Sequence, residues 1–349
     1  MSRKILVLAH MGRKEAQEAA RQSCLQLHEA GLVPVISRVD LESLQEDGVP
    51  LAPVEIIEED VSLREIELVM VLGGDGSILR AAEMVRSVDT PLLGVNLGHV
   101  GFLAESERSD LAESVEAVVD GRYTVEQRMT IDVTVWQDNR KVLHTWALNE
   151  ASVEKGDREK MIEVVIEVDR RPLSTFGCDG VVLATPTGST AYAFSAGGPV
   201  VWPEVEALLM VPLSAHALFS RPLVISPNSM MAVEVLTRTD ARGVLWCDGR
   251  RTTELPPGSR IEVVRSPKSV NLARMHLTPF SERLVRKFEL PTTGWRGPVP
   301  PDEAAVPPAT DLPTVRREQP LPEHPPVGHE MPHHDMPPAE VRDETAEAD

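Results

Sequence analysis

An acid stands among glycines in VMVLGGDGSILRAA (69–82): Asp75 is flanked by Gly73, Gly74 and Gly76, and Arg80 follows one turn into a helix-like pattern. Val69–Leu72 is a short apolar run that reads as a buried strand, and Ser77–Ala82 opens a helix, so the glycines occupy a strand-to-helix turn. Such a turn offers unpaired backbone N–H groups and a partial positive charge, and glycine lets an anion approach the backbone closely. A fixed carboxylate there opposes phosphate. Its presence makes chemical sense if it accepts a proton from a hydroxyl that attacks phosphorus. The plainer reading is a structural turn, since Asp and Gly are ordinary turn residues, and the motif alone does not decide.

Two further stretches carry polar groups in excess of what a turn requires. In TPTGSTAYAFS (185–195), Pro186 and Gly188 shape a tight loop, and Thr187, Ser189, Thr190, Tyr192 and Ser195 supply hydroxyls; the alternative is a Ser/Thr-rich surface loop. Asn149 and Glu150 follow an apolar WAL, and an amide beside a carboxylate can donate to and accept from a vicinal diol, although the pair also suits an ordinary strand end. Asp248-Gly249 reads as a hairpin turn, and His216 as a local cap or packing residue. Cys24, Cys178 and Cys247 lack CxxC or CxH spacing and read as small buried residues. There is no GxxxxGK[ST], no GxGxxG after the first strand, and no HRD or DFG set.

The elements that must position these residues follow two periods. KILVLAH (4–10), the helix of 12–31, LVPVIS (32–37), LVMVLGG (68–74), PLLGVNLG (91–98) and the helix of 110–121 alternate strand and helix, which implies a Rossmann-like α/β unit with a mostly parallel sheet. After Tyr123 the period becomes two, as in MTIDVTVWQ (129–137), MIEVVIEVDRRPL (161–173), SMMAVEVLT (229–237) and SRIEVVRS (259–266), implying an all-β, sandwich-like unit. The expected organisation is 1–124 α/β, 125–275 β-rich, 276–290 a last amphipathic helix, and 291–349 a disordered acidic tail that holds about half of the 29 prolines. The net charge of -19 disfavours polyanion partners, nucleic acid and anionic membrane alike. No apolar run reaches the roughly 20 residues that span a bilayer, and the expected location is the cytoplasm.

GGDGSILRAA (73–82), GVNLGHVGFLAE (94–105), ALNEASVEK (147–155) and CDGVVLATPTGSTAYAFSAGGPVV (178–201), in this order, resemble the NAD kinase family. PLSAHALFSRPLVI (212–225) and CDGRR (247–251) extend the resemblance over nearly all of residues 4–288. It implies a kinase that phosphorylates the 2′-hydroxyl of the adenosine ribose of NAD to give NADP, with ATP or polyphosphate as donor. Asp75 then matches the general base, Gly73, Gly74 and Gly76 cradle phosphate oxygens, and Arg80 neutralises charge. Asn149 and Glu150 match the pair that holds ribose hydroxyls, Lys160 a basic ligand contact, and Asp179 an acid that contacts the dinucleotide, in this family sometimes from a neighbouring subunit. Thr190, Ala191, Tyr192, Ala193, Phe194 and Ser195 line the dinucleotide pocket. No protein-built metal site is implied; Mg²⁺ or another divalent cation rides mainly on the donor phosphates. The resemblance also implies a homodimer or homotetramer. Gly-Gly-Asp-Gly is shared with lipid and sugar kinases, so such a kinase, or a non-catalytic NAD(H) sensor, is the alternative.

Overall fold

The computed structural model describes residues 2–46, 48–97, 101–104, 106–107, 110–238, 240–275 and 279–292. The acidic tail expected at 291–349 lies, from residue 293 on, outside the described residues, as do His99 and its neighbours in GVNLGHVGFLAE.

The first lobe comprises β1 (Lys4–Ala9), α1 (Lys14–Glu29), β2 (Val33–Ile36), α2 (Arg38–Gln45), β3 (Glu55–Ile56), β4 (Leu68–Leu72), α3 (Asp75–Val85), β5 (Leu92–Asn96), β6 (Ser106–Glu107), α4 (Leu111–Val119) and β7 (Thr124–Arg128). The second comprises β8 (Ile131–Gln137), β9 (Arg140–Ala147), β10 (Glu150–Lys155), β11 (Ile162–Val168), β12 (Arg171–Cys178), β13 (Gly180–Ala184), α5 (Tyr192–Ser195), β14 (Leu208–Leu213), β15 (Leu223–Ile225), β16 (Met231–Val235), β17 (Gly243–Cys247), β18 (Arg251–Leu255) and β19 (Arg260–Arg265). The chain closes with β20 (Val270–Arg274) and α6 (Phe280–Phe288).

The first sheet runs β3-β2-β1-β4-β5-β20-β7, with β6 on β5, and every pairing is parallel except β20 with β7. Every residue of β4 and of β5 is buried, as a parallel sheet covered on both faces requires. Alternation sorts the two layers. Ile5, Val7, Met70 and Leu72 pack with Cys24 and Leu27 of α1 and Val115 and Val118 of α4, whereas Leu6, Val69 and Val71 pack with Ile78, Ala82 and Val85 of α3.

Two antiparallel six-stranded sheets, β15-β14-β13-β10-β17-β18 and β12-β11-β16-β19-β8-β9, face each other across one core. Ile131, Val133 and Val135 point inward, as their spacing predicts. The run read as strand-like over 161–173 is a hairpin: Asp169 and Arg170, at φ 51° and 63°, turn β11 into β12. All three cysteines are buried and free.

The division expected near residue 124 is crossed twice. β7 and β20, on either side of the sandwich in sequence, are neighbours in the first sheet. Where the chain leaves and re-enters that sheet, Arg86 ties both passages: its guanidinium donates to Thr130 Oγ1 (3.0 Å), Asp132 Oδ1 (3.2 Å), Ser266 Oγ (2.8 Å) and the Lys268 carbonyl (3.4 Å). α6 is held by rings, with Phe288 4.4 Å from Phe194 and 5.6 Å from Phe102, and Phe280 5.1 Å from Trp202.

Candidate active site

From β1 the chain moves outward to β2 and β3 on one side and to β4 and β5 on the other, so the strand order reverses between β1 and β4. In open α/β sheets, ligands bind at the carboxyl ends of strands at such a point. A cavity of about 610 Å³ opens there, lined among others by His10, Asp40, Gly73, Gly74, Gly76, Arg80 and Arg250. Gly74 caps α3 and has no side chain to occupy the helix's first N–H groups. That leaves donors for an anion.

Asp75 is the first residue of α3. Its carboxylate accepts the backbone N–H groups of Phe102 and Leu103, each at 3.1 Å. A Cβ on Gly101 would collide with that carboxylate, so the loop approaches it only because residue 101 is glycine. Phe102, through its contacts with Phe280 and Phe288, links the acid's loop to α6. Asp40, at the β2 side of the cavity, is 8% exposed, and burial pushes its pKa up against the opposing pull of Ser37 and Arg80.

The second cluster is built at the start of β10. Asn149 and Glu150 are both buried, and Thr185 N–H donates to the Asn149 carbonyl at 2.9 Å. The TPTG loop turns immediately against that backbone: a Cβ on Gly188 would overlap Asn149 itself. Ser189 Oγ bridges to Val201, donating to its carbonyl at 3.1 Å and accepting its N–H at 2.9 Å. Thr190 Oγ1 likewise donates within the loop, to the Thr187 carbonyl at 3.3 Å, so most hydroxyls here fold the loop, while Tyr192 and Ser195 are exposed.

Asp248 does form the expected turn with Gly249, at φ 54° and 62°. Its side chain does more. The carboxylate accepts from Leu148 N–H (3.0 Å), Asn149 N–H (2.7 Å) and Arg251 (2.8 Å), fixing the peptide that presents Asn149 and Glu150. Arg251 also pairs with Glu83 of α3 at 3.0 Å, and the guanidinium groups of Arg86 and Arg251 both lie over the Trp146 ring, 4.0 Å and 4.9 Å from its centre. The Asn149-Glu150 pair and α3 are thus braced through one ion network.

Burial, and secondarily the Asp248 carboxylate, push Glu150 up to about 8, opposed by a hydrogen bond from Tyr192 N–H. Burial raises Asp248 too, but Asp248 has three donors and Glu150 Oε2 has no protein partner, so the shared proton resides on Glu150. A neutral Glu150 can donate as well as accept.

Tyr192 hydrogen-bonds Glu154 and feels Glu150 and Asp179; burial chiefly, then these acids, raise its pKa. Asp179 bonds Lys155 Nζ at 2.6 Å, and that bond holds its carboxyl below the usual range. His216 stays local, its N–H on the Gly177 carbonyl at 2.9 Å. The structure therefore gathers Gly73, Gly74, Gly76 and Arg80 around the cavity, while the Asp75 carboxylate is not part of the lining and is turned to the Phe102–Leu103 loop, and it brings Asn149, Glu150, Asp179 and Tyr192 into one electrostatic group. Ala193 is buried, and Phe194 is half-exposed against α6. Ala191 caps α5, whose last residue is Ser195. Lys160 is exposed at the end of a turn after β10 and joins neither cluster. Sequence reasoning passed over Asp40, Arg250 and the buried role of Asp248; only the Asp-Gly signal marked the last.

The chain was compared with known proteins. The ATP-NAD kinase N-terminal domain matches residues 5–123, and the ATP-NAD kinase C-terminal domain residues 148–275. The NAD kinase of Leifsonia xyli is 60% identical over 85% of this chain and 97% of its own length, and that of Thermobifida fusca 56% identical over 85% and 92%. Yeast NADH kinase, solved with NADH, superposes with a TM-score of 0.73 at 23% identity, covering 84% of this chain and 89% of its own. An Archaeoglobus fulgidus NAD kinase, solved with ATP, superposes at 0.60 and 22% identity, covering 83% and 99%.

Proposed function

The chain belongs to the NAD kinase family, and from that premise we propose that Asp75, the glycine turn and the Asn149-Glu150 pair transfer a terminal phosphoryl group to the 2′-hydroxyl of the adenosine ribose of NAD, giving NADP. The observation that carries the reading is the placement of Asp75: an acid on the first residue of a helix, between two glycines that line a cavity suited to an anionic donor. Gly74 and Gly76 hold the donor's phosphates through backbone N–H groups, whereas the N–H of Gly73 is committed to the Val95 carbonyl at 2.9 Å and that residue only shapes the turn; Arg80 offsets charge as it moves from γ- to β-oxygens. Asp75 takes the proton from the attacking hydroxyl once the acceptor displaces it from the Phe102 and Leu103 N–H groups. Neutral Glu150 donates to one ribose oxygen while Asn149 completes the contact, and Thr190–Ser195, with Tyr192, bound the dinucleotide pocket.

Among the described residues, no three His, Cys, Asp or Glu side chains converge as a metal site. A magnesium ion that keeps its waters and is carried by donor phosphates needs no such cluster, and it supplies charge neutralisation there. The enzyme works in the cytoplasm as a homodimer or homotetramer. Support for assembly comes from Leu218 and Phe219, large exposed apolar residues just beyond the segment that touches Asp179. Asp179 and Lys160 then serve a dinucleotide bound at or near a subunit boundary.

The test is purified protein with NAD, Mg²⁺ and ATP or polyphosphate, read by an NADP-specific dehydrogenase. NADP formation lost in Asp75→Asn supports the assignment. NAD binding without turnover under either donor replaces it with a sensor.

A further inference from the structure

The Asp75 carboxylate is held by a loop, and the loop is itself held from behind. In the register of β7 with β20, Arg128 stands opposite Val270, Glu126 opposite Leu272 and Thr124 opposite Arg274, so alternation puts Arg128, Glu126 and Arg274 on one face of the ribbon. That face packs with α3, because Leu272 shares a core layer with Ile78 and Leu103. Arg128 and Arg274 are both buried there and share a carboxylate: Glu126 accepts from Arg128 at 3.0 Å and from Arg274 Nε at 2.9 Å. Burial, then the charge of Arg274, pulls Arg128 down to about 10, and Arg283 of α6 adds to that pull. Three guanidinium groups are thus close enough to repel one another.

Two of the three reach the loop. A second nitrogen of Arg274 donates to the Leu103 carbonyl at 3.2 Å, and Arg283 donates to the Phe102 carbonyl at 3.5 Å. Phe102 and Leu103 are the residues whose N–H groups hold Asp75. The peptide that joins them is strung between opposite charges, its carbonyl on Arg283 and its N–H on Asp75 Oδ1. A cation on a carbonyl polarises the peptide and strengthens its N–H as a donor to an anion. The segment is therefore pinned on one side by cations and on the other by the acid.

We propose that Arg274 and Arg283 are positioning residues for phosphoryl transfer: by holding the Leu103 and Phe102 carbonyls they fix the loop that aims the Asp75 carboxylate. Neither guanidinium needs to touch a reacting atom. The inference rests on the kinase reading above, with Asp75 as its base, and adds the groups that place that base. Placement matters on this scale, since misplacing a reacting group by about 1 Å can cost about 100-fold in rate.

The experiment is a set of initial rates of NADP formation against NAD concentration, with Mg²⁺ and ATP or polyphosphate, by the full chain. Arg274→Met, Arg274→Lys and Arg283→Gln are each made in wild type and in Asp75→Asn. In wild type, Arg274→Met should lower kcat about 10- to 100-fold and leave the KM for NAD within about threefold. Arg274→Lys keeps the charge but loses the fork that serves Glu126 and Leu103 together, so it should recover part of that loss. Arg283→Gln removes a longer contact from a half-buried helix position and should lower kcat about threefold. In Asp75→Asn, the same changes should move the residual turnover less than about twofold, because the loop has no base left to aim. Equal losses in both backgrounds would make the arginines merely structural and overturn the proposal. So would a folded Arg274→Met with wild-type kcat, or a loss confined to KM. Should Arg274→Met not fold, Arg283→Gln carries the same comparison: a loss in wild type that vanishes in Asp75→Asn supports the proposal, and an equal loss or none overturns it. No NADP from wild type defeats the kinase reading and this with it, whereas wild-type turnover with equal losses defeats this inference alone.

Discussion

Around the glycine turn, the cations are arginines at the surface: Arg13, Arg80 and Arg250 line the cavity and are exposed, with the buried Asp40 on the far wall. Around Asn149 the charged groups are carboxylates in the interior, and Glu150 and Asp248 are each 6% exposed. On the proposed function, the difference follows from what each side must hold. A polyanionic donor that enters and leaves is attracted over a distance by cations that stay hydrated and pay no desolvation penalty. A ribose is neutral, and only short, directional hydrogen bonds in a dry place can choose one hydroxyl from another. The glycine turn therefore keeps its cations in water, whereas the Asn149 cluster buries two carboxylates and must settle which of them holds a proton.

The comparison breaks most dramatically at the acid between the two. Asp75→Asn should lower kcat by about 10²–10⁴-fold while calorimetry finds NAD affinity within a few-fold, because loss of a general base removes the proton acceptor and not the pocket. Near-normal turnover would remove Asp75 from the reaction.

Removing the buried hub comes next. Asp248→Ala strands the Leu148 and Asn149 N–H groups and Arg251, and should cost about 3–5 kcal/mol in urea unfolding, with a raised KM for NAD. A loss below about 1 kcal/mol would mean that water replaces the carboxylate.

Titration sharpens the contrast. Glu150 sits at about 8 in the folded protein, above the ordinary carboxylate range. Between those two values the unfolded chain binds fewer protons, so this group's contribution to stability is complete at low pH and is lost as pH rises through about 8. Glu150→Gln, which mimics the neutral form, should match wild type near pH 5 and exceed it by a few kcal/mol at pH 9, followed by denaturant midpoint at each pH. A constant difference across pH would place the proton elsewhere.

The smallest effect is expected at the brace. Trp146→Leu removes the ring under Arg86 and Arg251 and should cost about 1–2 kcal/mol, with kcat/KM reduced only a few-fold.

Much of this was legible in the chain. Continuous apolar runs gave β1, β4 and β5 to within a residue or two, and alternation gave β8, β16 and β19, because local period reports burial directly. The glycine turn and the Asn149-Glu150 pair were visible as residue types. Long-range pairing was not: nothing local in Thr124–Arg128 or Val270–Arg274 says that they are neighbours in the first sheet. The hairpin at Asp169-Arg170 was missed because neither residue is glycine, although both adopt positive φ. Asp248 was half seen. Its backbone role follows from the dipeptide, but its burial against Leu148 and Asn149 depends on a strand a hundred residues earlier. Asp40 lacked any signal, being one acid among many on a helix.

The pairing of β7 with β20 gives the molecule a particular path. Seen from the first sheet, these two strands are a hairpin, and the whole sandwich is its loop, cinched at the neck by Arg86. Both passages lie side by side, so the sandwich that carries Asn149 and Glu150 hangs from the sheet that carries the glycine turn at one neck, where a single arginine holds both strands of the join.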